Sequence, residues 1–251
     1  MPPSAAGFPP LPPLVSGAAF LWLARIGGPG LPYDAGPLSS DEKDRAARFV
    51  FDRDRNRYIA ARHVLRALLA RYLGTEPAAV QFDYSRYGKP SIRSPEPSRV
   101  EFNLSHCEDW AVVGITTGAR IGVDLERLRP LDDISGLALT CFSSAEIGHF
   151  NRLEADIRIE GFFNCWTRKE AFIKACGEGL SHPLQDFDVT LVPGEAARIV
   201  EIRDGGDPER WSLTAWRPIP GYVAAAAVDS AAVHFELAGV IDPLPAGSGT
   251  P

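Results

Sequence analysis

What the chain lacks narrows it before what it contains. It has no excess of positive charge: 26 Lys and Arg against 32 Asp and Glu leave a formal charge of −6 and a pI near 5.4, which excludes a broad basic surface for coating nucleic acid. Any anion site must be local. The four cysteines, Cys107, Cys141, Cys165 and Cys176, form no CxxC pair and are too sparse for a disulfide framework, so they read as reduced thiols filling a core. No run of about 18 apolar residues could cross a bilayer, and no charged-then-apolar leader opens the sequence. The expectation is a cytoplasmic protein with neither a membrane nor a nucleic acid as partner. Three devices are also missing: the Walker phosphate loop, the GxGxxG turn and the Gly-x-Ser-x-Gly elbow. Nucleotide binding through either loop, and serine-hydrolase chemistry, lose their support.

What is present is a chain of 251 residues, 45% hydrophobic, enough for one large domain or two modest ones. Residues 1–14, rich in proline, alanine and glycine, read as a disordered arm, and residues 242–251 as a loose tail. Val15 to Ile26 reads as a strand ended by Gly27-Gly-Pro-Gly30. Asp41 to Tyr72 is spaced for one or two amphipathic helices, capped by Ser39 or Ser40 and stopped by Gly74; its many arginines read as a solvated face. Strands follow at 80–84, 101–106, 110–115 and 121–126, the last two joined as a hairpin. Helices are expected over 134–139, from Ser143 and from Gly161. Four antiparallel strands at 188–192, 198–203, 211–216 and 222–228 complete the pattern. Strands and helices therefore recur in two rounds, giving an α+β protein with an N-terminal half over 15–120 and a C-terminal half over 121–241.

The chemistry concentrates between Ile121 and Lys174. In the strand Ile121-Gly-Val-Asp-Leu-Glu126, Asp124 and Glu126 share one face. Glu170, in Phe162-Phe-Asn-Cys-Trp-Thr-Arg-Lys-Glu-Ala-Phe-Ile-Lys174, falls on the inward stripe of its helix. A buried carboxylate has to be paired, protonated or bound to a metal. Three of them form an all-oxygen set with room for water and phosphate oxygens, as Mg²⁺ prefers. Lys174, four residues after Glu170, is on its own an ordinary helical ion pair; beside three acids it and Lys169 suggest a diphosphate clamp. Ser105-His106 lies near the hairpin, and Glu146 fits a capping box with Ser143.

Gly88-Lys-Pro90, Phe102-Asn-Leu-Ser-His106, Ile121-Gly-Val-Asp-Leu-Glu126, Phe142-Ser-Ser-Ala-Glu146, Trp166-Thr-Arg-Lys-Glu-Ala-Phe-Ile-Lys174 and Gly177-Glu-Gly-Leu180, in this order, resemble the Sfp-type 4'-phosphopantetheinyl transferases from about Ser39 to Val228. The resemblance implies a monomer of two pseudo-symmetric α/β halves with coenzyme A in the cleft between them. It implies Mg²⁺ on Asp124, Glu126 and Glu170, and transfer of phosphopantetheine to a serine of an apo acyl or peptidyl carrier protein with release of 3',5'-ADP. By the same likeness, Lys174 touches the phosphates, Glu170 is also the base, and Lys169 shapes the site. Ser105 and His106 match positions near the 3'-phosphate, and Lys89 and Arg57 the adenosine end. Lys43 matches a basic residue of the family, while Ala46 stands where a second lysine is frequent, with Arg45 or Arg48 as substitutes. Two other readings of the same residues are a Mg²⁺-dependent coenzyme A diphosphate hydrolase and a coenzyme A-binding module without catalysis.

Overall fold

The first strand, β1 (Ala18–Arg25), is buried along almost its whole length because both of its faces are apolar. In the computed structural model, which describes residues 8–28, 30–31, 33–95, 98–179 and 182–242, its alternate residues enter two different cores. Trp22 and Ala24 face helix α2 (Asp52–Leu73) with Val64, Leu65, Leu68 and Leu69. Ala19, Leu21 and Leu23 face the other way, onto the second half of the molecule. The period of two thus makes β1 both a wall of its own half and part of the seam.

Helix α1 (Ser40–Ala47) precedes α2, and Gly74, in the left-handed conformation, ends α2. The two helices are tied by a buried cluster. Glu42 accepts from Ser39 N at 2.9 Å and from Arg66 Nε at 2.6 Å, and pairs with Arg62; Arg66 also donates to the Val80 carbonyl at 2.7 Å. Arg66 is 1% exposed, so this part of the arginine-rich face is interior, its charge compensated by an acid from the neighbouring helix.

After the β2 (Gln81–Tyr84) and β3 (Pro90–Ser94) hairpin come β4 (Val100–Cys107), β5 (Trp110–Thr117) and β6 (Ile121–Arg127). The expected hairpin of the last two does not form. Strand β5 has β1 on one side and β4 on the other, so it offers no edge, and β6 passes into a second sheet to pair with β10 (Tyr222–Val228). At the seam, the Val123 N–H donates to the Asn103 side chain of β4 at 2.9 Å.

Helices α3 (Ile134–Cys141), α4 (Ser144–Asn151) and α5 (Arg158–Cys176) follow, then β7 (Phe187–Val189), β8 (Ile199–Ile202), β9 (Ser212–Trp216) and β10. The second sheet runs β6-β10-β9, with the β7-β8 pair beside it. Val223, Ala225 and Ala227 of β10 pack in the core that contains α5, whereas Ala224, Ala226 and Val228 meet β1 and β6 across the seam. A last strand, β11 (His234–Ile241), lies parallel to β1 and completes the sheet β11-β1-β5-β4. Although it belongs to the stretch 121–241, it is built into the N-terminal sheet.

The expected arm is only partly testable. Residues 1–7 and 243–251 lie outside the described residues, as does Leu180 of the Gly-Glu-Gly-Leu motif. Residues 8–14 are not loose: Phe8, Leu11 and Leu14 pack on the N-terminal core, and Arg71 donates to the Pro9 carbonyl at 3.0 Å.

Candidate active site at the seam

Helix α5 approaches β6 at a residue that has no side chain. A Cβ on Gly122 would stand 2.1 Å from the Ala171 carbonyl oxygen and 2.3 Å from the Ala175 nitrogen, a distance no real side chain tolerates. Glycine therefore lets the helix backbone rest on the strand. The next two side chains on that face of β6, Asp124 and Glu126, are consequently brought beside Glu170 and Lys174.

Lys174 Nζ lies 2.6 Å from Asp124 Oδ1 and 3.2 Å from Ser105 Oγ, and Ser105 donates to the same Asp124 oxygen at 2.9 Å. Ser105 comes from β4, so both halves contribute. Asp124 is 4% exposed, and its second oxygen, Oδ2, is buried with no partner. An orphaned carboxylate oxygen is costly unless something else satisfies it. Burial pushes the Glu170 carboxyl up to about 7, against the pull of Lys174, and repulsion from Asp124 and Glu126 pushes in the same direction. Burial and Asp124 also raise Glu126, while Arg129 and a hydrogen bond with Trp166 oppose the shift. The three acids therefore feel one another's charge across the strand and the helix. Among the described residues no three His, Cys, Asp or Glu side chains are closed into a metal-holding group as they stand. Lys174 instead occupies Asp124 Oδ1.

The basic groups of the neighbourhood come from four elements. His106, at the end of β4, has its imidazole held below the ordinary value by the surrounding protein mass, then by the positive charges of Lys174, Arg57 and Arg45. Arg57 on α2 is anchored by Asp109, 2.7 Å from Nη2. Ala46, where a lysine is frequent in the resembled family, is buried at 5% exposure and could not present a charge there. A cavity of about 560 Å³, bordered by Ile26, Tyr33, Asn56, Arg57 and Asp109, lies around Arg57 and does not reach Asp124, Glu126 or Glu170.

Two lysines have other attachments. Lys89 reaches across the seam to donate to the Ile121 carbonyl at 3.2 Å and the Ala175 carbonyl at 2.9 Å, so it fastens β6 to the end of α5; burial lowers its ammonium to about 8. Lys169 is a correction to the expectation that it shapes the ligand site. Its Nζ is sealed inside the C-terminal half, donating to the Leu184 and Phe187 carbonyls at 2.6 Å each and pairing with Glu146 at 2.7 Å. A step of about 100° per residue turns it away from Glu170 and toward α4 and β7. Glu146 is accordingly more than a cap: besides accepting from Ser143 N at 2.8 Å, it accepts from Val189 N at 2.8 Å. Sequence reasoning passed over Asp109 and Asn103; their only signal was proximity to Ser105-His106.

Two α+β halves sharing an apolar seam, with acids and cations gathered where β4, β6 and α5 meet, define a two-half protein with one ionisable cluster at the junction. The profile of the 4'-phosphopantetheinyl transferase superfamily matches residues 120–227, and that of the 4'-phosphopantetheinyl transferase N-terminal region matches residues 34–117. Among curated proteins, the chain is 38% identical over 224 residues to the 4'-phosphopantetheinyl transferase HetI of Nostoc sp., covering 88% of this chain and 91% of the relative. It is 28% identical to 4'-phosphopantetheinyl transferase Sfp of Bacillus subtilis, over 75% of this chain and 80% of that one. A solved structure described as a Chronobacterium ammoniagenes ACPS-CoA complex aligns at 17% identity and a TM-score of 0.34, covering 44% of this chain and 95% of that chain, too distant to add to these matches. The chain belongs to the 4'-phosphopantetheinyl transferase family, and its reaction is the transfer of a phosphopantetheine group.

Proposed function

We propose that this transferase takes coenzyme A as donor and a serine hydroxyl of an apo acyl or peptidyl carrier protein as acceptor, with Mg²⁺ at the seam. The observation that carries this reading is the buried, partnerless Asp124 Oδ2 beside two further acids and a half-exposed lysine. The donor set fits the ion: three carboxylates on adjoining elements, mutually repelling, with an unsatisfied inner oxygen. Asp124, Glu126 and Glu170 are the residues that would hold it. When bound, Mg²⁺ supplies neutralising charge at the diphosphate.

The chain's own groups do the rest. Lys174, 28% exposed, carries the ammonium nearest the acids and is placed to meet a phosphate oxygen as negative charge leaves with the nucleotide. Arg57 and Arg45 supply the positive charge that orients the remaining phosphates, His106, its imidazole held toward the neutral form, offers a ring N–H beside them, and Ser105 holds Asp124 in place by its hydrogen bond. Glu170 accepts the serine proton as the serine oxygen bonds to the β-phosphorus and the bond to the 3',5'-ADP leaving group breaks. Lys89 supports this arrangement from behind by fixing β6 to α5. No helix among the described residues is long and apolar enough to cross a membrane, and the reading places the enzyme in the cytoplasm as a monomer.

The test is Mg²⁺-dependent transfer of labelled pantetheine from coenzyme A onto a panel of apo carriers. Transfer is expected to fall roughly 10²- to 10³-fold or more in Asp124→Ala and in Glu170→Ala. Full transfer in both variants overturns the assignment. Release of phosphopantetheine with no carrier present would make the enzyme a coenzyme A hydrolase instead.

A further inference from the structure

The side of α5 turned away from the acids borders a second cavity, of about 500 Å³. Residues two apart on a helix point about 200° from one another, so Arg168 faces away from Glu170 on the same helix. The sheet positions the cavity: α5 covers β6 and β10 but leaves the inner face of the edge strand β9 open at Leu213 and Ala215, and the 194–197 turn borders the gap. Leu213, Ala215, Val223 and Ala197 make its apolar wall.

Arg168 is the buried charged group of its lining. It is 3% exposed, and its guanidinium is only half used: Nη1 donates to the Thr190 carbonyl at 2.6 Å and to Thr190 Oγ1 at 3.0 Å, while Nε is buried without a partner. Among the described residues it makes no ion pair, although a buried guanidinium ordinarily has one. The two acids bordering the cavity are committed elsewhere, Glu160 to Arg217 and Glu195 to Arg198 at 3.5 Å. Asn164, 7% exposed, stands one helical turn before Arg168 and spends its amide N–H on the Leu191 carbonyl at 3.3 Å, leaving its carbonyl oxygen uncommitted. An unpaired buried cation against an apolar wall is the reverse of what packing alone would leave.

We infer that this cavity is a binding site for a small monocarboxylate with a short apolar body, its carboxylate taken by the free edge of Arg168 and its body by Leu213, Ala215 and Val223. The fork of a guanidinium matches a planar carboxylate through two parallel N–H donors, and Nε begins the edge that Thr190 leaves unused. Each rim acid has its own arginine, Arg217 for Glu160 and Arg198 for Glu195. The site is separate from the seam and does not depend on the proposed donor and acceptor.

The experiment titrates the full chain with benzoate and, in parallel, with benzamide, which has the same shape without the charge, following the thermal midpoint and the heat of binding. Benzoate is expected to bind saturably and raise the midpoint, with benzamide binding roughly tenfold or more weakly. Arg168→Lys keeps a charge but loses the fork, and benzoate binding should drop by a similar factor. Ala215→Leu fills the cavity without touching Arg168 and should abolish binding even where the arginine variant fails to fold. Equal binding of benzoate and benzamide, no saturable benzoate binding, or unchanged binding in Ala215→Leu each overturns the inference.

Discussion

Helix α5 carries two lysine–carboxylate pairs, and they are opposite in kind. Lys169 and Glu146 are 1% and 2% exposed, and both ends have further partners: two carbonyls for the ammonium, two backbone N–H groups for the carboxylate. The side chains of Lys174 and Asp124 are 28% and 6% exposed, and the acid keeps one oxygen unsatisfied while two other acids crowd it. The first pair is closed and holds α5 to α4 and β7. The second is open: it leaves one acid oxygen without a partner and part of the ammonium exposed. A short distance between charges therefore does not distinguish structure from function here; the bookkeeping of remaining donors and acceptors does.

The contrast breaks most sharply at Lys169. Lys169→Met leaves Glu146 buried without its cation and should cost about 3–5 kcal/mol of stability, read from urea unfolding, with Glu146→Gln added to the same chain recovering part of the loss. Gly122→Ala comes next. Its methyl group meets backbone rather than a flexible side chain, so α5 must lift from β6; a cost of about 1–3 kcal/mol and a larger fall in transfer than in stability are expected. Lys174→Met should cost less than Lys169→Met, about 1–3 kcal/mol, because its ammonium is partly solvated and Asp124 keeps the Ser105 hydrogen bond, while transfer from coenzyme A collapses. If the two lysine variants lose equal stability, the distinction between closed and open pairs is wrong.

The smallest effect concerns Lys89. Its folded-state value of about 8 lies below the ordinary 10.5 because of burial, so between those values the unfolded chain binds more protons than the folded one. Stability contributed through this group should rise with pH across that window and stay level below it. Urea midpoints measured over the window should show the rise in the natural chain and less of it in Lys89→Met.

Much of the site could be read from the sequence because it follows local periodicity. Asp124 and Glu126 share a face by the strand repeat, and Glu170 and Lys174 are a turn apart on one helix. Partnership over distance was not readable. Lys169 stands beside Glu170 in the chain, yet its acid lies on α4 and its carbonyls follow α5. Arg66 looked like part of a solvated surface because its partner, Glu42, is on another helix. Strand β6 was assigned to the wrong neighbour because adjacency in sequence suggested a hairpin, while β5 had already spent both edges on β1 and β4. Strand β11 went unnoticed for a plainer reason. Its apolar residues, Phe235, Leu237, Ala238, Val240 and Ile241, do not alternate cleanly, Leu237 and Val240 are exposed, and the strand that pairs with it, β1, lies far earlier in the sequence.

That last strand has a consequence for how the molecule is made. Ala18 lies beside His234 and Ala24 beside Ile241, so the first sheet of the chain cannot finish until residue 241 has been synthesised. During translation β1 has an open edge, and the nascent N-terminal half must wait with that edge unprotected. The two halves resemble separable modules in outline, yet cutting the chain between them would remove a strand from the first. Splitting the protein at residue 120 should therefore yield an N-terminal fragment that aggregates unless a peptide spanning β11 is supplied.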